Sequence, residues 1–221
     1  MTARRYHRIL SVLYKRQPDL TVFAESVYKP HNLSAMLRSC DAVGIGTVHA
    51  VNPTGGVPTY NDTSASADKW VELKVHEELA TALEAIRNAD MQVLAAHLST
   101  QAVDYREVDY TRPTCIVLGN EKKGVSEAVA ARADAHVIIP MLGMVQSLNV
   151  SVATAVILFE AQRQRRAAGL YDAPQLSETQ INDQAFRWLY PREAAQLSKQ
   201  GRPFPPLAED GSLTLHSSKP D

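Results

Sequence analysis

Two glycines, Gly119 and Gly124, have the spacing of a loop that cradles nucleotide phosphates. Such a loop needs Lys and then Ser or Thr directly after the second glycine, because an ammonium group must reach the phosphates and a hydroxyl must hold Mg²⁺. Val125 and Ser126 follow instead. The spacing therefore does not indicate a nucleoside triphosphatase.

Other familiar catalytic motifs are also incomplete or absent. Gly44 and Gly46 begin like a dinucleotide-binding fingerprint, but they lead into a predicted strand and no third glycine follows at the required position. Cys40 and Cys115 belong to no C-x-x-C or Cys/His cluster, so neither a disulfide framework nor a zinc site is indicated. We therefore expect no dehydrogenase, no familiar hydrolase and no metal.

Polar residues interrupt the apolar segment IIPMLGMVQSLNVSVATAVILFE at residues 138–160. Ser147 has an ordinary explanation as the N-cap of the following helix, since a Ser hydroxyl accepts a hydrogen bond from the first turn. Asn149 needs a partner, because an amide among apolar residues costs free energy unless it is hydrogen-bonded. We expect that partner to be a substrate or a second subunit.

The elements that position these residues alternate between strand and helix. Strands are predicted at 20–27, 47–51, 71–76, 91–98, 114–119 and 136–141. Helices are predicted at 32–44, 77–89, 122–133 and 147–164, with Asn32 as the first N-cap. Continuous apolar strands such as CIVL predict an α/β fold, an open parallel-rich sheet with helices on both faces. Ligands bind beyond the carboxyl ends of such strands, which places a site after Leu98, Leu118 and Pro140.

The two ends of the chain differ from the middle. Residues 1–19 form a predicted basic helix, with five Lys or Arg and no acid before Asp19. Residues 20–169 form the α/β domain, with a surface loop at 52–69. Residues 170–221 are rich in Pro and acids, so we expect an extension with weak helices at 184–190 and 192–199 and disorder at 216–221.

Composition restricts the class of protein. The chain has 221 residues, of which 45% are hydrophobic and 21% charged, as in ordinary globular proteins. The net charge of −1 argues against a uniformly basic nucleic-acid binder, although the N-terminal helix is a local basic patch. No segment is as long and apolar as a membrane span, and the N-terminus is charged, so we expect a cytoplasmic protein without membrane contact.

Three segments together carry a resemblance: KPHNLSAMLRSCDAVG, IVLGNEKKGVS and IIPMLGMVQSLNVSVATAVILFEAQRQRR. In this order they resemble the SPOUT methyltransferases and, more narrowly, the TrmH family of tRNA (guanosine-2′-O)-methyltransferases. The resemblance covers the chain to about residue 169. It implies a homodimer with a C-terminal deep trefoil knot that uses S-adenosylmethionine to methylate the ribose of guanosine 18 in the tRNA D-loop. An rRNA 2′-O-methyltransferase and a non-catalytic RNA-binding module are the alternatives.

The resemblance also implies which residues form the site. The active-site set is Asn32, Arg38, Glu121, Ser147 and Asn149. The cofactor-binding set is Ala96, His97, Leu98, Leu118, Gly119, Gly124, Ile139, Met141 and Leu148. The tRNA-binding set is Arg5, Arg8, Arg16 and His31. Arg163, Arg165 and Arg166 extend this set, unless these three arginines serve only to stabilise the C-terminal end of their helix through its dipole. Without the motif, Arg38 would be interpreted as an ordinary surface residue of a helix. Glu121 would be interpreted as an acid that the dipole stabilises near a helix N-terminus.

Methyl transfer to a ribose hydroxyl requires alignment of the two reacting atoms and removal of the hydroxyl proton. Neutralising a guanidinium at pH 7 costs on the order of 8 kcal/mol, so Arg38 is a poor proton acceptor. We therefore expect Arg38 to position the adjacent phosphate and to stabilise the developing negative charge, with Glu121 orienting it or its neighbours.

Overall fold

The computed structural model describes residues 2–51 and 69–213. Within these ranges seven parallel strands form one sheet in the order β3-β2-β1-β6-β4-β7-β5. The strands are β1 (Leu20–Glu25), β2 (Thr47–Val51), β3 (Glu72–His76), β4 (Gln92–Ala96), β5 (Val103–Asp104), β6 (Thr114–Leu118) and β7 (Ala135–Ile138). The predicted parallel α/β sheet is confirmed. Most of the loop predicted at 52–69 and the loose end at 216–221 lie outside the described residues.

The helices are α1 (Ala3–Leu13), α2 (Pro30–Ala42), α3 (Leu79–Arg87), α4 (Glu127–Ala130), α5 (Val150–Ala167), α6 (Glu178–Leu189) and α7 (Pro191–Lys199). Helices α2 and α5 contribute to the core on one face of the sheet, and α3 and α4 to the core on the other. Every residue of β1 and β6 is buried, because these central strands are covered on both faces.

Three predicted helix starts were wrong. The helix predicted from residue 122 begins at Glu127, because residues 120–124 form a closed loop. Helix α2 begins at Pro30, because proline suits a first turn where no N–H bond is needed, and Asn32 therefore lies inside the helix. Helix α5 begins after Asn149 and not at Ser147. Oδ1 of Asn149 accepts the backbone N–H of Ser151 at 2.8 Å, so Asn149 is the N-cap.

The chain divides into two units, Gln17–Leu170 and Met1–Arg16 with Tyr171–Asp221. The first unit contains the whole sheet. In the second, Ile9 and Leu13 of α1 pack with Ile181 and Ala185 of α6. The apolar side chains of α1 are thus covered by the C-terminal segment. None of the helices in the described ranges is long and apolar enough to span a membrane.

The side chain of Arg165, near the end of α5, is completely buried. Its guanidinium donates to Oε1 of Gln17 at 2.9 Å, to the carbonyl of Tyr110 at 3.1 Å and to the carboxylate of Asp19. The interpretation of Arg165 as part of an RNA-binding rim is therefore wrong. It ties the last helix of the sheet unit to the segment that leads into β1.

Candidate active site

Three adjacent strands, β6, β4 and β7, end at the same edge of the sheet. The segments at or after their carboxyl ends contain all the residues expected to bind the cofactor. These are Leu118, Gly119 and Gly124 at β6, Ala96, His97 and Leu98 at β4, and Ile139, Met141 and Leu148 after β7. The strand order therefore gathers three segments that are distant in sequence, at the edge where open α/β sheets bind ligands.

Apolar side chains at this edge are exposed to solvent. Leu98 after β4 is 76% exposed, and Leu142 and Met144 after β7 are almost completely exposed. Apolar side chains grouped in this way favour an apolar ligand or a second protein surface. The adenine ring of the expected cofactor is a ligand surface of this kind. Among the described residues there is no group of three or more His, Cys, Asp or Glu that could hold a metal ion.

The segment after β4 is held by His136 of β7. Nε2 of His136 lies 3.0 Å from the carbonyl of Ala130, which only accepts, so this nitrogen carries a proton. In the neutral ring Nδ1 accepts, and Oγ of Ser99 lies 2.8 Å from it. The ring of His97 packs edge-on against His136, with 5.0 Å between the ring centroids. His136 therefore supports the segment on both sides of Leu98.

The segment after β6 is a closed, rigid loop. Asn120 and Gly124 exchange both backbone hydrogen bonds, at 2.9 and 2.8 Å. Oδ1 of Asn120 also accepts the backbone N–H groups of Lys122 and Lys123. A Cβ atom on Gly119 would lie 2.1 Å from the backbone of Gly124, so only glycine fits there. The loop holds Glu121 in a fixed position.

A hydrogen-bonded chain joins three of the five residues expected in the active site. Nδ2 of Asn32 donates to Oε1 of Glu121 at 2.8 Å, and Nδ2 of Asn149 donates to Oδ1 of Asn32 at 3.2 Å. The three residues come from α2, from the loop after β6 and from the start of α5. Asn149 thus caps α5 with its oxygen and joins the site with its nitrogen.

The carboxylate of Glu121 is ionised at neutral pH. Burial alone would raise its pKa, but hydrogen bonds from the Asn32 side chain and from backbone N–H groups, including that of Lys29, outweigh burial. The pKa of Glu121 is therefore below its usual value of 4.5. The site contains a fixed negative charge whose remaining oxygen can orient a cationic or donor group.

Arg38 and Ser147 are not joined to this chain of hydrogen bonds. Arg38 follows Asn32 by six residues on α2, which places it about 120° away around the helix. Its side chain is exposed, and within the described ranges it makes no hydrogen bond or ion pair. Ser147 is also exposed in the segment before α5. Among the described residues of one protomer, neither side chain is therefore hydrogen-bonded to Glu121.

The residues expected to bind tRNA differ in exposure. Arg5 and Arg8 are exposed on α1, and His31 is exposed on α2. Arg16 is only 3% exposed, and its guanidinium lies 5.5 Å from the ring centroid of Trp188 in a cation–π contact. Burial argues against a direct contact between Arg16 and phosphate, so we interpret Arg16 as a packing residue of its unit.

Sequence reasoning missed Asn120 and Glu25. Asn120 closes the loop that carries Glu121, and Glu25 accepts the backbone N–H of Ser126 at the end of that loop. A signal for Glu25 was present in the sequence, since it is an acid within the apolar predicted strand LTVFAESV. A buried acid requires a partner, and the partner is 101 positions away.

Comparison with known families identifies two matching sequence models. The SpoU rRNA Methylase family matches residues 19–159, and the C-terminal region of SpoU rRNA methylases matches residues 163–215. Among curated relatives, the tRNA (guanosine(18)-2′-O)-methyltransferase of Thermus thermophilus is 58% identical over 85% of this chain and 97% of its own length. The enzyme of the same description from Escherichia coli is 47% identical over 96% and 94%.

Solved structures give the same result. The Aquifex aeolicus TrmH/SpoU tRNA modifying enzyme superposes with a TM-score of 0.80 at 43% identity, covering 85% of this chain and 96% of the other. An AdoMet-bound rRNA methyltransferase from Sinorhizobium meliloti superposes with a TM-score of 0.57 at 29% identity, covering 70% and 59%.

Proposed function

Since the chain belongs to the SpoU rRNA methylase family, we propose that it transfers a methyl group from S-adenosylmethionine to the ribose 2′-hydroxyl of guanosine 18 in tRNA. The observation that carries the proposal is that relatives matched over nearly their whole length have this activity. The hydrogen bonds that join Glu121, Asn32 and Asn149 fix the polar groups that such a reaction needs. An rRNA substrate is the second candidate, because the family description and some structural neighbours name rRNA.

When bound, S-adenosylmethionine would supply an electrophilic methyl group on a positively charged sulfur, which would leave as a neutral thioether. The backbone of the 119–124 loop and the apolar side chain of Leu98 would hold the cofactor. Glu121 remains ionised and is held by Asn32. Arg38 contacts the phosphate beside the target ribose and stabilises the charge that develops on the 2′-oxygen as its proton passes to solvent.

We further propose that the protein is a homodimer with α5 at its interface. Val152 and Phe159 on one face of α5 are 47% and 51% exposed, and the half-buried Ala155 and Val156 lie between them. An apolar stripe on a long helix suits the same stripe of a second copy across a two-fold axis. In this dimer Arg38 of one protomer completes the site of its partner, because within one chain it faces away from Asn32.

The exposed Arg5, Arg8 and His31 supply contacts to tRNA, where a few phosphate contacts provide much of the affinity while the net charge stays near zero. We place the protein in the cytoplasm, because its relatives modify tRNA. The deep trefoil knot implied by the resemblance stays a prediction.

The test combines the purified protein, labelled S-adenosylmethionine and an unmodified tRNA transcript. We expect one methyl group per tRNA at the 2′-oxygen of guanosine 18, and none on a transcript with adenosine at that position. Mapping the modified nucleotide by mass spectrometry identifies the site. Label transferred only to rRNA fragments would favour the second candidate, and absence of transfer together with tRNA binding would favour a non-catalytic module.

A further inference from the structure

We propose that Glu25 is a positioning residue for this reaction: its buried carboxylate fixes the loop that carries Glu121. The inference rests on the proposed function. It assigns a role to a residue that belongs to none of the expected catalytic, cofactor-binding or RNA-binding sets and that touches neither reactant.

The position of Glu25 is unusual for an acid. It is the last residue of β1, in the centre of the sheet, and is only 6% exposed. Alternation along the strand puts it on the same face as Phe23, which packs with Val125 and Val129 at and beyond the end of the Glu121 loop. A carboxylate kept at such a place needs a partner, because removal from water is costly.

That partner is the loop itself. Oε2 of Glu25 accepts the backbone N–H of Ser126 at 2.9 Å. Ser126 is the residue at which the loop becomes α4, and its hydroxyl accepts the N–H of Val129 at 3.4 Å. Glu25 therefore anchors the carboxyl end of the loop to the sheet.

The next residue anchors the other end. The carbonyl of Ser26 accepts Nδ2 of Asn120 at 3.0 Å. Ser26 has a φ of 55°, a conformation that non-glycine residues rarely adopt and that is kept where the surroundings impose it. Two consecutive residues at the end of β1 thus hold the first and last residues of the segment 120–126. Glu121 lies between these anchors.

The consequence is a continuous path from Glu25 to the site. The carboxylate holds Ser126, the closed loop holds Glu121, and Glu121 accepts from Asn32. Loss of the anchor displaces the loop backbone that binds the cofactor as well as Glu121. The effect should therefore fall on the KM for S-adenosylmethionine and on kcat, while tRNA affinity stays constant.

The test compares Glu25→Ala with Glu25→Gln, which keeps an acceptor oxygen at nearly the same place. The control is Thr21→Val, which removes a buried hydrogen bond from the same face of β1 at its other end, where Oγ1 donates to the carbonyl of Thr47 at 2.8 Å. For each folded variant, steady-state kinetics, tRNA binding and thermal unfolding are measured. We expect Glu25→Ala to lower kcat/KM by roughly 100-fold, because small misplacements of reacting groups have effects of that order. Glu25→Gln should retain most of the activity, and Thr21→Val should lose stability without loss of kcat/KM.

Two results would overturn the inference. One is a folded Glu25→Ala protein with wild-type kinetics, and the other is a folded Glu25→Gln protein as inactive as Glu25→Ala. If Glu25→Ala does not fold, Glu25→Asp replaces it, since the shorter side chain withdraws the acceptor from Ser126, and wild-type kinetics in that variant would again overturn the inference. Absence of methyl transfer by the wild-type protein would instead refute the proposed function.

Discussion

Asn32 and Glu121, 89 positions apart in the sequence, meet through a hydrogen bond of 2.8 Å between the Asn32 amide and the Glu121 carboxylate. The oxygen of the same amide accepts from Asn149. Asn32 therefore uses both ends of its side chain to set the relative positions of the Glu121 loop and the start of α5.

Replacing Asn32 by Ala should lower kcat/KM for methyl transfer by about 10- to 100-fold. The reason is that a hydrogen bond to a charged group contributes about 1.5–3 kcal/mol. Steady-state kinetics with tRNA and S-adenosylmethionine measure the effect. Ser39→Ala is the control, because the Ser39 hydroxyl on the same helix only bonds back to the carbonyl of Ala35. Equal activity of the two variants would remove Asn32 from the site.

Arg38→Ala and Arg38→Lys should both lose most of the methyl transfer at every pH tested, because a planar guanidinium fork and a lysine ammonium do not bind phosphate in the same way. If Lys retained most of the activity, a fork-shaped donor would not be required. The measurement is single-turnover transfer to tRNA at several pH values.

The proposal that Arg38 of one protomer completes the active site of its partner has its own test. Arg38→Ala and Asn149→Ala proteins, each inactive alone, should regain up to about a quarter of wild-type activity when co-refolded as a mixture. Random pairing makes half of the molecules mixed dimers, and each mixed dimer has one intact site. If Arg38 acted within its own chain, every site would lack one residue and the mixture would stay inactive.

Arg165→Ala should lower the free energy of unfolding by about 3–5 kcal/mol, because it leaves the partners of a buried charge without their donor. Urea denaturation followed by circular dichroism measures the change. Arg163→Ala is the matched control, since the exposed Arg163 pairs only with Glu160 on the same helix and surface pairs contribute little. Similar losses of unfolding free energy in both variants would contradict the conclusion that the buried side chain of Arg165 stabilises the fold.

Stability should fall in acid partly because of His49. Burial, then the neighbouring His76 and Lys74, lower the pKa of His49 from 6.5 to about 4. The unfolded chain binds this proton more readily than the folded one, so the contribution is lost as pH falls from 6.5 towards 4. His49→Asn should therefore flatten the dependence of the unfolding free energy on pH between 6.5 and 4. An unchanged slope would show that His49 is protonated freely in the folded state.

The sheet was predictable, because apolar runs such as CIVL are local, and the meeting of the carboxyl ends of parallel strands at one edge predicts where its candidate site lies. Strand order was not predictable from residues alone, since the pairing of β4 with β6 and β7 depends on contacts between distant segments. The identity of the reaction came from family resemblance, which periodicity does not contain.

The errors have physical causes. Ser147 and Asn149 are both good capping residues two positions apart, and sequence offers no means of choosing between them. Pro30 outweighed Asn32 as a helix start. Arg165 lies among arginines at a helix end, where solvation is the usual state, and its burial depends on Asp19 and Gln17 far away in the chain.

The central pair of strands sets a condition on biosynthesis. Leu20 of β1 pairs with Thr114 of β6, so the middle of the sheet cannot close until more than half of the chain has left the ribosome. Until then the apolar residues of β1 lack the neighbouring strand β6, so they can aggregate with other exposed apolar segments. We therefore expect the nascent protein to depend on chaperones during much of its translation.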